Sequence, residues 1–405
     1  MIHRVCATFL VSLLLIATAS AQVGWRDEAL PNPTTGGSAT LLARCYYPAL
    51  QSGQNAPLLP RPGGYPIVVF LHGYGGLGRN YPDLGERLAA AGYLAVLSDT
   101  AMTDPTLQAA DAAALLPALA LENQRIGAFL YGALATDRAA LAGHSMGGGN
   151  TVRTLATNPG YRTGIGFAPW AGQGSGTQSW FPSAFAPLVA VPLLLLHGEG
   201  DTTLNWQTTA QAYYDRATAY TDAKVFVRLD GDCTHSNVAR LTPSSGLVDR
   251  AVFDRSLTTA IGWLDAVLGD DPRGLEQVVG PTLRAAPHFA EVAVAIRAPQ
   301  LWTVGEPRVG GAIGFRLAGE PGIAALALAL TAGNVATPIG TLVLDPATTV
   351  VIATAPVGAT NLQLTPYPIP ADAALVGLRV FAQGAASTDG GGLRLSNGLD
   401  FVIGT

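Results

Sequence analysis

The chain has 405 residues, 49% of them hydrophobic and 13% charged, with a formal net charge of −5. The length suggests more than one domain. The small acidic balance gives no reason to expect a nucleic acid or an anionic membrane surface as partner. Ordinary domains carry about 25% charged residues, so this chain is poor in charge, and Lys224 is its one lysine.

The N-terminus reads as a secretory signal peptide over residues 1–21. His3 and Arg4 precede an apolar run from Val5 to Ile16, and Ala19-Ser20-Ala21 has the form of a cleavage site. The run is short of the ~20 residues a membrane span needs. A secreted protein with no transmembrane segment is expected, extracellular or periplasmic, its mature chain starting at Gln22. Cys6 leaves with the leader. Cys45 and Cys233 remain, as one disulfide or as two buried thiols. No Cys/His spacing fits a metal site.

Between Leu41 and Leu268 strand-like and helix-like segments alternate. Strands are expected at Leu41–Tyr47, Ile67–Leu71, Leu94–Ser98, Ala139–Gly143, Gly164–Ala168, Pro192–His197 and Val225–Leu229. Several are continuous apolar runs, as strands of a parallel sheet covered on both faces must be. Helices are expected at Asp83–Ala91, Gln108–Leu121, Gly148–Thr157, Thr208–Ala219 and Asp249–Leu268. This rhythm predicts a doubly wound, mostly parallel α/β domain over residues 22–268. Gly269 to Gly274 reads as a linker. Residues 275–405 read as a smaller all-β, sandwich-like domain, with short runs at Gly340–Leu344, Thr349–Thr354, Leu375–Phe381 and Leu393–Leu395. From Thr331 onward there are six charged residues and no His or Cys. That domain is expected to attach, bind a surface or polymer, or stabilise.

Gly143-His144-Ser145-Met146-Gly147 is a G-x-S-x-G sequence between an apolar strand and a helix. In that context it reads as a nucleophile elbow, a turn so tight that side chains at the glycines would clash. A serine hydroxyl needs a base within reach and an acid behind the base. In this fold class the chain order is Ser, then acid, then His. The acid should follow a later strand, and Leu193–His197 leads into Gly198-Glu199-Gly200-Asp201. Asp201 is the candidate and Glu199 its rival. The base should lie in the loop after Val225–Leu229, where His235 is the sole histidine. His72 and His197 sit at strand ends and read as structural, and His144 should point away from the hydroxyl. The oxyanion needs two backbone amides. Met146 supplies one, and the loop His72-Gly73-Tyr74-Gly75-Gly76 supplies the other, from Tyr74 or its neighbour Gly75.

These motifs resemble the cutinase-like polyester hydrolases and related lipases of the α/β-hydrolase superfamily. The matching pieces are His72 to Gly76, Ser98-Asp99-Thr100, Gly143 to Gly149, Ala168-Pro169-Trp170, Gly198 to Asp201 and Thr234-His235-Ser236. The resemblance implies a triad of Ser145, Asp201 and His235, and oxyanion amides at Tyr74 and Met146. It also implies an ester-binding cleft lined by Tyr74 and Trp170. Cys233 precedes His235 where the family has a cysteine after its histidine, and Thr202 to Trp206 departs from the family's usual run. The expected function is hydrolysis of carboxylic esters, short-chain, lipid or polyester, with no metal or organic cofactor. A peptidase or acyltransferase of the same fold, or a non-catalytic surface-binding protein, are the alternatives.

Overall fold

The computed structural model describes residues 22–172 and 181–405. The expected signal peptide, residues 1–21, lies outside the described residues, as do residues 173–180 of the segment that follows Trp170. The larger part of the chain is a ten-stranded sheet. Its strands are β1 (Gln22–Pro31), β2 (Thr40–Ala49), β3 (Gly53–Gln54), β4 (Tyr65–Leu71), β5 (Leu94–Ser98), β6 (Leu134–His144), β7 (Thr163–Phe167), β8 (Leu193–Gly198), β9 (Ala223–Leu229) and β10 (Phe289–Ile296). Across the sheet they run β10-β9-β8-β7-β6-β4-β5-β2-β1-β3. The block from β5 through β4 and β6 to β9 is parallel, while β2 and β10 flank it antiparallel.

Alternate residues of the central strands feed two cores, one on each face. Val68 and Phe70 of β4, with Leu194 and Leu196 of β8, pack under α1 (Pro82–Ala90) and α5 (Leu247–Val267). Ile67, Val69 and Leu71, with Leu193 and Leu195, pack under α2 (Pro105–Gln124), α3 (Met146–Thr157) and α4 (Ala210–Arg216). Both faces of these strands are buried, so they appear in sequence as unbroken apolar runs. The seven expected strands and five expected helices form, with ends shifted by a few residues. Cys45 and Cys233 are free, buried and in different cores, so the thiol alternative is the one adopted. Among the described residues no helix is long and apolar enough to cross a membrane.

The structure corrects the expected domain boundary. Residues 269–274 do not form a linker: Pro272–Gln277 is a 3-10 helix, capped by Asp271, that packs against α5. A short helix α6 (Pro281–Arg284) and then β10 follow, and β10 pairs with β9 in the large sheet. The all-β unit therefore starts at β11. Its strands are β11 (Gln300–Val304), β12 (Ala312–Ala318), β13 (Ala324–Ala329), β14 (Ala332–Thr337), β15 (Gly340–Leu344), β16 (Val350–Thr354), β17 (Leu362–Pro368), β18 (Arg379–Ser387) and β19 (Leu393–Val402). A three-stranded sheet, β11-β12-β17, faces a four-stranded sheet, β16-β13-β18-β19, and β14 and β15 form a hairpin. Leu301, Phe315, Leu317, Leu326 and Val380 fill the space between them.

The two parts share a wall. On β11, Leu301 points into the sandwich, while its neighbour Trp302 joins the core beneath α5. Trp302 Nε1 donates to Glu276 at 3.0 Å, and Arg316 pairs with the same carboxylate at 2.8 Å. A chain ending at Leu268 would leave β9 without its antiparallel neighbour and uncover the apolar side of α5. Residues 22–268 expressed alone should lose the cooperative thermal transition of residues 22–405 when both are followed by circular dichroism.

Candidate active site

Ser145 sits between the end of β6 and the start of α3, with φ 55° and ψ −118°. Such a conformation costs a non-glycine residue on the order of 1–3 kcal/mol. Its surroundings hold it there. The Ser145 amide donates to the Phe167 carbonyl at 3.0 Å, and its own carbonyl accepts from Gly149 at 3.1 Å and Trp170 at 2.9 Å. The elbow glycines are required by space. A Cβ at Gly147 would lie 2.2 Å from the Leu71 carbonyl oxygen, and one at Gly143 would lie 2.3 Å from that of Gly147.

The hydroxyl lifted out by this turn meets the histidine loop. Ser145 Oγ is 3.0 Å from His235 Nε2, and His235 Nδ1 is 2.7 Å from Asp201 Oδ2. An ionised carboxylate only accepts, so Nδ1 carries the proton and Nε2 is free to accept from the serine. The other carboxylate oxygen of Asp201 accepts from the amides of Thr203 at 2.8 Å and Leu204 at 2.9 Å. Burial by itself would push this carboxyl up. The hydrogen bonds from His235 and Leu204 outweigh it and hold Asp201 below the usual carboxylate value. It is an ionised acceptor that orients the imidazole.

The rival acid is occupied elsewhere. Glu199 pairs with Arg228 of β9, which also pairs with Glu291 of β10 and lies 4.4 Å over the Trp206 ring. His197 hydrogen-bonds Thr209 at 3.2 Å and the Gly198 carbonyl at 3.1 Å, and burial lowers its pKa. His72 bonds the Thr100 carbonyl at 2.8 Å. Behind it Gln108 donates to the His72 carbonyl at 3.0 Å and accepts from Asn150 at 2.9 Å. This buried network ties the early loop to α2 and α3. His144 does point away from the serine hydroxyl: its Nε2 is 2.6 Å from the His235 carbonyl and its Nδ1 is 2.9 Å from the Tyr81 hydroxyl.

Of the two candidate amides in the early loop, Gly75 donates to the Met102 carbonyl at 2.7 Å. Tyr74, the other, is 71% exposed, and its neighbour Gly73 lies against the elbow, where a Cβ would sit 3.2 Å from Ser145 Cβ. Met146 opens α3, where the first amides of a helix have no partner within it. Trp170 is half-buried on the other side of Ser145, its carbonyl accepting from the Tyr213 hydroxyl at 2.6 Å. Beyond the triad, Asp230, Asp232 and His288 bring three potential ligand atoms within 4.8 Å of one another. This set is not legible in the residues alone, because His288 reaches the aspartates only once β10 pairs with β9.

A mostly parallel sheet with a strained serine at a strand–helix turn, a histidine after a later strand and an acid between them in the chain is the arrangement of the α/β-hydrolase class. Residues 44–282, more than half the chain, match the model of one family within it, described as PET hydrolase-like. The chain belongs to that family. It is similar to the bis(hydroxyethyl) terephthalate hydrolase of Streptomyces coelicolor, 26% identical over 55% of this chain and 63% of the relative. It is also similar to the cutinase est2 of Thermobifida alba, 29% identical over 41% of this chain and 52% of the relative. A cutinase of Thermobifida fusca is 29% identical over 56% of this chain and 74% of the relative. The chain thus spans roughly half to three quarters of the length of these relatives.

The buried imidazole of His144 gives the site a pH signature. Burial first, and the adjacent His235 second, push its pKa down from 6.5 to about 3. The unfolded chain therefore takes up a proton that the folded chain refuses. Stability from this residue is complete above about pH 6.5 and falls as the pH drops toward 3, by at most about 1.4 kcal/mol per pH unit. Urea unfolding between pH 7 and 4 should show a shallower loss of stability in His144→Gln than in the native chain. An unchanged slope would mean that residue 144 is protonated in the folded state.

Proposed function

We propose that the protein is an exported serine hydrolase that cleaves carboxylic esters, polyesters among them, through an acyl-enzyme. The observation that carries this is the unbroken series Ser145–His235–Asp201, with contacts of 3.0 and 2.7 Å. His235 Nε2 takes the proton of Ser145 as Oγ attacks the ester carbonyl. Asp201 stabilises the imidazolium, and the amides of Tyr74 and Met146 receive the oxyanion. The imidazolium passes its proton to the leaving alcohol. Water, deprotonated by His235, then releases the acid and restores the serine. No step calls on a metal or organic cofactor. The residues 1–21 that read as a leader support export.

Polyester as substrate is supported by the family and by the names of the relatives, and by the shape of the cleft. Tyr74 and Met102 are exposed large apolar residues on the loops beside Ser145, with Trp170 opposite. Such a rim suits an apolar chain that a closed pocket would exclude. The sandwich is assigned a role in binding the same apolar material. A cavity of about 380 Å³ opens between its sheets, lined by Leu328, Val350, Ile352, Tyr367, Val380 and Phe401 among others and, among the described residues, by no charged one. Leu330 and Val350 stand more than half exposed at this cavity. Exposed apolar surface of this kind marks binding sites more often than chance.

Ser145→Ala should lower kcat/KM on p-nitrophenyl butyrate by about 10⁴-fold or more; turnover near the native rate would refute the assignment. For the sandwich, Val350→Asp with Leu330→Asp should reduce adsorption to an aliphatic polyester film several-fold. Hydrolysis of the soluble ester should stay within about twofold of native, because neither residue approaches the triad.

A further inference from the structure

Three chain segments must keep fixed positions for the proposed reaction: the loop that offers the Tyr74 amide, the elbow that holds Ser145, and the loop that carries His235. Two side chains outside the triad join all three. The Gly73 amide, one peptide before Tyr74, donates to the Tyr81 hydroxyl at 3.1 Å. Tyr81 Oη lies 2.9 Å from Nδ1 of His144, the residue before Ser145. His144 Nε2 lies 2.6 Å from the backbone carbonyl of His235 itself. Tyr81 and His144 are both buried, and their rings meet edge-on at 5.8 Å.

The proton positions in this series follow from its two ends. A carbonyl can only accept, so His144 Nε2 carries hydrogen. A backbone amide can only donate, so Tyr81 Oη accepts from Gly73 and gives its own hydrogen to His144 Nδ1. Every donor then has an acceptor, and His144 is neutral. A protonated His144 would turn Nδ1–H against a hydroxyl that already accepts from Gly73, and the tyrosine hydrogen would lose its acceptor. It would also set a second positive charge beside the imidazolium of His235, whose ring is 4.8 Å from that of His144. The low proton affinity that burial gives His144 agrees with this arrangement.

We infer that Tyr81 and His144 are positioning residues, a buried relay that holds the oxyanion loop, the nucleophile elbow and the base loop in one register. The inference rests on the serine-hydrolase reading above. Its physical basis is the tolerance of the chemistry. Oxyanion donors act over distances of roughly 2.7–3.1 Å, and a displacement of about 1 Å costs on the order of a hundredfold in rate. His72, Gln108 and Asn150 hold the oxyanion loop from the α2–α3 face. Tyr81 holds it from the α1 face, and only this second contact runs on to the base.

The test uses the full chain, p-nitrophenyl butyrate, and a fluorophosphonate that counts competent Ser145 sites. Tyr81→Phe keeps the ring, with its packing on Phe70 at 4.8 Å, and removes the hydroxyl. Tyr81→Phe and His144→Leu should each lower kcat per labelled site about tenfold, with KM within about twofold, and the double variant should be no slower than the slower single one. His144→Gln, which keeps one donor and one acceptor, should stay within about threefold of native. Unchanged kcat per labelled site in Tyr81→Phe would overturn the relay, as would losses that multiply in the double variant. A purely structural role would lower the number of labelled sites or the melting temperature and leave kcat per site alone. Imidazole ¹⁵N shifts give a readout that needs no activity. His144 should be the Nε2–H tautomer at pH 7, and an Nδ1–H tautomer would refute the relay. A native chain that hydrolyses the ester while Ser145 remains unlabelled would instead sink the underlying reading.

Discussion

The close contact between Gly147 and the Leu71 carbonyl is the constraint on which the site depends. A hydrogen in place of a side chain lets α3 start against the end of β4, and the backbone between β6 and α3 must then turn through Ser145 at positive φ. The neighbours of β6 in the sheet are β4 and β7. Their carboxyl ends therefore flank the serine, and each leads into a neighbouring loop, that of Tyr74 after β4 and that of Trp170 after β7. β8 and β9, further along, deliver Asp201 and His235. The strand order does the placing, and the strained serine is affordable because two full cores brace the sheet behind it.

The polarity of the site shows how environment assigns different states to similar groups. Three histidines, 144, 197 and 235, lie around one carboxylate. Asp201 accepts hydrogen bonds from two amides and one imidazole, and these stabilise its charge against the cost of burial. His144 has no carboxylate on either nitrogen, and His197 Nε2 stays 3.6 Å from Asp201 Oδ2, so burial prevails in both and disfavours their protonated forms. Only His235 combines a carboxylate on one nitrogen with a hydroxyl on the other. Chemistry at Ser145 thus has one base, and the neighbouring imidazoles act as neutral hydrogen-bonding struts.

Much of this was legible in the residues because it is local. The elbow glycines and the apolar runs of β4, β5 and β8 are written within short windows, and the serine, acid and histidine each sit in a short motif just after a strand. What could not be read depends on pairing at long range. Tyr81 looks like an ordinary aromatic before a helix, and its contacts appear only when the fold brings Gly73 and His144 to its hydroxyl and His235 to His144. Gly269 to Gly274 has the composition of a linker, yet aspartate and proline serve equally well to start a helix, and Asp271 caps the turn at Pro272. β1 carries no apolar run that would mark it, because Arg26, Asp27 and Glu28 interrupt it. It lies near the rim of the sheet, where charged side chains can face solvent and discourage edge-to-edge pairing.

The position of the sandwich limits what it can do. Its contacts with the large sheet gather at the amino ends of β8 and β9. Arg297 donates to the carbonyls of Thr218 and Tyr220, the Tyr220 hydroxyl bonds Asp389, and Glu320 and Asp389 bond the backbone of Ile296. Ser145, Asp201 and His235 lie beyond the carboxyl ends of the parallel strands, at the opposite edge. A unit anchored there by a shared wall of Trp302 and by several polar contacts has neither the reach nor the freedom to close over Ser145. Whatever the sandwich binds is held at a fixed distance from the serine.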